Sequence, residues 1–370
     1  MENPFLAFFI FVLILFFYIH VTAQWKTSND LEIYESDYES QTQFQEICAV
    51  KQPVVFKMQK NPILGEFVER FQSSKFEKYD NIDIRVKDRT DYAANKDSKD
   101  ISIDYVPLTF RSARRLMTTD TSAKYFSEKN HLFLEESGLD RLSHSVDALL
   151  KPPLSAYTKH DILLGSPLLT TPLRYHLESH RFFAVTRGKI QVKLCPPKYS
   201  KIIPTHRDYE NYEFWSPLHP SSNNDKDREI CQKIKFLDID VNVGDVLFIP
   251  PYWWYSISFS GDPETTVASF VYDVAMNIMA QSNHWLLYYL QQSNIKTRPA
   301  KTIRSMDGNS SADMESDDVT KKEVRLGDTP AVKREIMTNA GIYVTGTISE
   351  PRPTSDQRPS DHDTDINNIN

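Results

Sequence analysis

The residues best placed to do chemistry lie between Thr171 and His180. His176-Leu177-Glu178 offers an imidazole and a carboxylate two residues apart. On a strand, residues i and i+2 point the same way, so this pair is a chemically acceptable set of metal ligands. Arg174 and His180 fall on the same alternate face. Two other readings fit the same residues: the charges pair among themselves on a partly solvated strand, or the face forms a polar pocket. The three cysteines, Cys48, Cys195 and Cys231, are far apart and odd in number. They make no zinc spacing and no disulfide framework, and are expected to be ordinary buried residues.

The elements that must carry these residues read as β-rich. The chain has 370 residues, 40% apolar and 12% aromatic, with only ten glycines and a net charge of −7. That is enough for a sizeable core. The negative balance argues against nucleic acid and anionic membrane surfaces as partners. Ile190, Val192 and Leu194 alternate with Gln191 and Lys193, and Leu237, Ile239, Val241 and Val243 alternate with Asp238, Asp240 and Asn242. Each pattern predicts a strand with one buried face. Residues 53–57, 82–86 and 265–272 are further strands, residues 67–71 look helical, and 106–117 is a strand-and-helix unit. Residues 198–229 are polar with several prolines and read as a long surface loop. A helix is expected over 273–292.

Gly244-Asp245-Val246-Leu247-Phe248-Ile249-Pro250-Pro251-Tyr252-Trp253-Trp254-Tyr255 is a turn, an apolar strand, a proline break and an aromatic cluster. With Thr171-Pro172, Phe182-Phe183, Gly188-Lys189 and Pro196-Pro197, it resembles the JmjC/cupin-like family of Fe(II)- and 2-oxoglutarate-dependent oxygenases, the asparaginyl-hydroxylase type in particular. The resemblance is strong over 161–272 and looser back to about Phe44. It implies a mainly β fold with flanking helices: a double-stranded β-helix (jelly-roll, JmjC/cupin-like) barrel, preceded here by an N-terminal membrane helix.

The same resemblance exposes departures from the family's site. Anchored on Thr171-Pro172, the family's His-x-Asp positions hold Arg174 and His176. Anchored on Phe182-Phe183, they hold Tyr175 and Leu177. Arginine offers no lone pair to a metal. The residue after Trp-Trp, a histidine ligand in the family, is Tyr255, expected to fill the space itself with its hydroxyl hydrogen-bonded. Ile190 stands where the family has the lysine that meets 2-oxoglutarate, with Lys189 one residue away on the other face. Thr171 matches a 2-oxoglutarate position. No catalytic residue, metal or cofactor is therefore expected. The alternative is a rearranged Fe(II) and 2-oxoglutarate site built on His176, Glu178 and Tyr255. The functional expectation is a binding or scaffold module with an unidentified protein partner, the alternative a divergent protein hydroxylase.

Residues 5–19 are an unbroken apolar run, continued weakly to residue 23. A signal anchor over 1–23 and a cleaved signal peptide both fit. The anchor is preferred, because Met1-Glu2-Asn3-Pro4 has no basic side chain and the run is long. The remaining divisions expected are an acidic spacer over 24–43, the cupin-like domain over 44–294 and a disordered tail over 295–370, with a glycosylation sequon at Asn309. A homodimer through helix 273–292 is a further expectation.

Overall fold

The computed structural model describes residues 4–95, 102–220 and 225–294. The expected tail and the Asn309 sequon lie outside them. In chain order the first elements are α1 (Pro4–Gln24), β1 (Tyr34–Asp37), α2 (Gln41–Ala49), β2 (Val54–Lys57), α3 (Pro62–Arg70), β3 (Asp83–Asp88) and α4 (Arg89–Ala94). Next come β4 (Val106–Thr109), α5 (Phe110–Thr119), β5 (Tyr125–Ser127), α6 (His131–Ser137), α7 (Asp140–Leu150) and β6 (Ser155–Gly165). Then follow β7 (Leu173–Tyr175), β8 (His180–Arg187), β9 (Lys189–Cys195), β10 (His206–Asp208), β11 (Glu213–Ser216) and α8 (Asp225–Gln232). The last are β12 (Leu237–Asn242), β13 (Asp245–Ile249), β14 (Trp254–Phe259), β15 (Thr266–Val274), α9 (Ala275–Ala280) and α10 (Ser282–Asn294).

Local chemistry starts and stops these elements. The Ser40 side chain accepts from the Gln43 N–H at the start of α2, and Asn61 does the same for Ile63 and Leu64 ahead of Pro62 in α3. Such caps satisfy helix N–H groups that otherwise lack partners. Gly188 joins β8 to β9 at φ +75°, and a Cβ there would sit 2.4 Å from the Thr265 hydroxyl. Only glycine fits that turn without strain.

Among the described residues the strands form two sheets. The larger has the order β1-β2-β13-β8-β15-β6-β5-β3-β4, the smaller β10-β11-β7-β14-β9-β12. The alternation predicted in the sequence is the packing observed except at Val243, which lies past the end of β12 and is exposed. Ile190, Val192 and Leu194 pair with Val241, Ile239 and Leu237 and face inward, while Lys189 and Lys193 bind Asp240 and Asp238 outside. The inner faces share one apolar core, including Phe183, Val185, Leu247 and Val267 from one sheet and Ile190, Val192, Ile257 and Phe259 from the other. The back of the larger sheet is covered by helices. There Phe44 of α2, Phe67 of α3 and Phe133 of α6 pack with Phe56, Phe182 and Phe270.

Several expectations need correcting. The strands do not close into a barrel: among the described residues no ladder joins the two sheets, which meet through side-chain packing and side-chain hydrogen bonds. The stretch 24–43 is not a free spacer, because β1 lies parallel to β2 and the Thr27 hydroxyl donates to the Lys51 carbonyl. Residues 198–229 are not simply a surface loop, since they supply β10, β11 and the start of α8, and β11 is buried along its whole length. The expected helix 273–292 begins later and breaks. β15 runs through Asp273, and α9 ends at Ala280, followed by the capping residue Gln281, whose side chain donates to the Tyr252 hydroxyl. Cys48 and Cys195 are buried, whereas Cys231 is only half-buried.

α1 is one helix long and apolar enough to cross a membrane, and none of its apolar window is buried. A signal sequence near an N-terminus has the same properties. At its end the Trp25 indole N–H donates to the Ala280 carbonyl at 3.1 Å.

Candidate functional site

Three neighbouring strands of the smaller sheet bring the site together. In the register, Arg174 of β7 lies opposite Trp215 of β11 on one side and Tyr255 of β14 on the other. Side chains of residues directly opposite share a face, so all three point between the sheets. Arg174 Nη1 donates to both carboxylate oxygens of Glu128, at 2.6 and 2.5 Å. Its guanidinium carbon sits 5.4 Å from the centre of the Tyr255 ring. Tyr255 is fully buried, and its hydroxyl accepts from Arg181 Nη1 of β8 at 2.9 Å. Arg181 Nη2 reaches Glu178 at 3.1 Å.

The strand carrying the predicted ligands is shorter than its pattern suggests. β7 ends at Tyr175 and β8 begins at His180, so His176, Glu178 and His180 do not line one strand face with Arg174. His176 is buried, 5.8 Å from Tyr255 between ring centres, and neither ring nitrogen has a hydrogen-bond partner. Burial, with the Arg181 charge adding to it, lowers its pKa to about 3, so the ring is neutral. Burial works to raise Glu178, but the Arg181 guanidinium outweighs it and holds the carboxyl at about 2. His180 turns the other way, toward Phe182 and Phe248.

The oxygenases this chain resembles use Fe(II) and 2-oxoglutarate, and the residues present here do not fit them. Two guanidinium groups, Arg174 and Arg181, touch the Tyr255 side chain, and Arg181 stands between that phenol and Glu178. A divalent cation there would meet two fixed positive charges in a poorly solvated site. Thr171 is committed to the backbone: its hydroxyl accepts from the Ile257 N–H and its carbonyl from the Ser256 hydroxyl. Ile190 is wholly in the core, and Lys189 is tied to Asp240 outside.

A second polar group went unread in the sequence. Glu213 of β11 accepts from Lys87 Nζ of β3 at 2.8 and 2.7 Å, from Lys129 at 2.6 Å and from the hydroxyls of Tyr92 and Tyr105. Lys87 is completely buried. Burial works to raise the Glu213 pKa, and the two ammonium groups carry it well below the usual carboxylate range. The available signal was Lys87 itself, within the alternating run Ile84-Arg85-Val86-Lys87, where its neighbours mark a packed strand. Glu213 gives none, because the polar, proline-containing stretch around it reads as a loop.

Around these charges the N–H groups of Arg174 Nε, Arg181 Nε and Trp215 Nε1 are buried with no hydrogen-bond partner. Each such group costs about 1–3 kcal/mol. The region is thus rich in donors, and each of its cations is held by a carboxylate from one of the sheets or from a connection beside them.

The model of the cupin-like domain family matches residues 40–284. The chain belongs to the cupin-like domain family. The match starts one residue before α2 and ends within α10, so it takes in the smaller sheet, the larger sheet apart from its edge strand β1, and the covering helices. A search of curated proteins gave no match to the chain.

Proposed function

We propose that this cupin-like chain is a membrane-tethered binding or scaffold module that does not carry out oxygenase chemistry. The observation that carries the reading is the Arg174–Glu128 ion pair, packed on Tyr255. The resemblance, anchored on Thr171-Pro172 and on Trp253-Trp254, puts Arg174 and Tyr255 at ligand positions. A buried pair with these distances keeps its geometry, because separating it strands two charges. The finer likeness, to the asparaginyl-hydroxylase type, belongs to the same proposal. The tether would be α1, at 1.5 Å per residue about 30 Å long, matching a bilayer's hydrocarbon core.

The second reading is a divergent Fe(II)/2-oxoglutarate-dependent protein hydroxylase using His176, Glu178 and Tyr255. The unpartnered nitrogens of His176 favour it. One experiment divides the two. The full chain in mild detergent is loaded anaerobically with Fe(II), and bound metal and 2-oxoglutarate turnover are measured. We expect turnover at the no-protein background and iron content that His176→Ala leaves unchanged. Stoichiometric iron lost in His176→Ala would sink the binding-module reading.

The same reading includes self-association through α10. Leu286, Leu287, Tyr289 and Leu290 are exposed there, and the helix carries no lysine, arginine, aspartate or glutamate. Copies held in one membrane plane meet at high effective concentration. Cross-linking of the full chain in vesicles should give dimers, and Leu286→Glu with Leu290→Glu should abolish them. Equal cross-linking in the doubly substituted chain would remove this part of the proposal.

A further inference from the structure

We infer that His144, Asp147 and His160 form a divalent transition-metal site, of a kind suited to Zn(II), that fastens α7 to the back of β6. It is independent of the region between the sheets. His160 packs edge-on against Phe270, in the core beneath the covering helices, so the cluster lies on the opposite face of the larger sheet.

The donor atoms of the three side chains all lie within 4.8 Å of one another. Asp147 Oδ1 is 2.8 Å from His160 Nε2, and Asp147 Oδ2 is 3.0 Å from His144 Nδ1. Zinc binds such atoms at about 2.0–2.2 Å, which for tetrahedral ligands means donors about 3.3 Å apart. The cluster needs only small rotamer shifts to reach that spacing. Two imidazoles and one carboxylate are a borderline donor set that selects zinc-like ions over calcium or magnesium.

The supporting shell is the second, independent observation. Asp140, one turn before His144, places Oδ2 3.4 Å from His144 Nε2, on the side of the ring away from Asp147. A small shift would let it accept from that nitrogen, as the carboxylates behind metal-bound histidines do. The Tyr272 hydroxyl of β15 donates to Asp147 Oδ1 at 2.6 Å and fixes the carboxylate. His160 is buried while His144 is largely exposed, so one side of the site stays open to a water molecule as fourth ligand. A metal here would tie a helix to a strand 13 residues away in sequence.

The test uses the untagged full chain in mild detergent, dialysed against Zn(II) and then against metal-free buffer. About one zinc per chain should remain. His144→Ala, at an exposed position, should lose it while keeping its circular dichroism spectrum, and Asp140→Asn should weaken binding at least about tenfold. Zinc should raise the melting temperature of the parent and not of His144→Ala. His176→Ala should retain the metal, which separates this site from the one between the sheets. No retained zinc in the parent, or unchanged zinc in His144→Ala, would overturn the assignment.

Discussion

Replacing Glu213 by alanine should cost about 3–5 kcal/mol of folding stability, among the largest effects of any single substitution in this chain. The reason is asymmetric. Lys87 has no exposure to solvent and gives its hydrogen bonds to Glu213 and Tyr92. Lys129 also lies against the same carboxylate. Removing that carboxylate leaves ammonium groups in a low-dielectric site without the partner they bond directly. Glu213→Gln should recover part of the loss, since an amide keeps one acceptor oxygen for Lys87. Urea denaturation of the full chain in detergent measures both. A midpoint for Glu213→Ala equal to that of the parent would mean the network is solvated and weak.

The Arg174–Glu128 pair should show strong coupling. Arg174→Met alone strands a carboxylate, and Glu128→Leu alone strands a guanidinium, each at about 3–5 kcal/mol. Together they put two apolar side chains of similar volume beside Tyr255, and the double variant should be more stable than either single one. A double variant as unstable as the sum of the two losses would show that the charges act separately. The outcome bears on function too. A pair held by mutual neutralisation would explain how an arginine is kept buried between the sheets beside Tyr255.

Much of the fold was legible because its signals are local. The period-two runs at 190–194 and 237–241 named the inward residues correctly, since a strand's side chains alternate whatever the strand pairs with. The turn at Gly188 follows from backbone sterics at one residue. The apolar run of α1 needed no partner to be recognised. The family resemblance rested on such local units too, in Thr171-Pro172, Gly244-Asp245 and the prolines and tryptophans after β13.

What depended on distant chain was not legible. The polar appearance of residues 198–229 hid β11, because Glu213 is buried by Lys87 and Lys129, more than 80 residues earlier. The acidic stretch before α2 became a strand only because β2 offered it an edge. The sequence by itself determined that neither register of the resemblance restores the family's His-x-Asp pair, and that one of the two registers puts an arginine there. Only the tertiary structure decided what that arginine does. Glu128 arrives from the end of β5 on the other sheet, and Arg181 arrives from β8 to take the Tyr255 hydroxyl. A charge's meaning is set by its nearest opposite charge once water is excluded, and sequence spacing does not encode that distance.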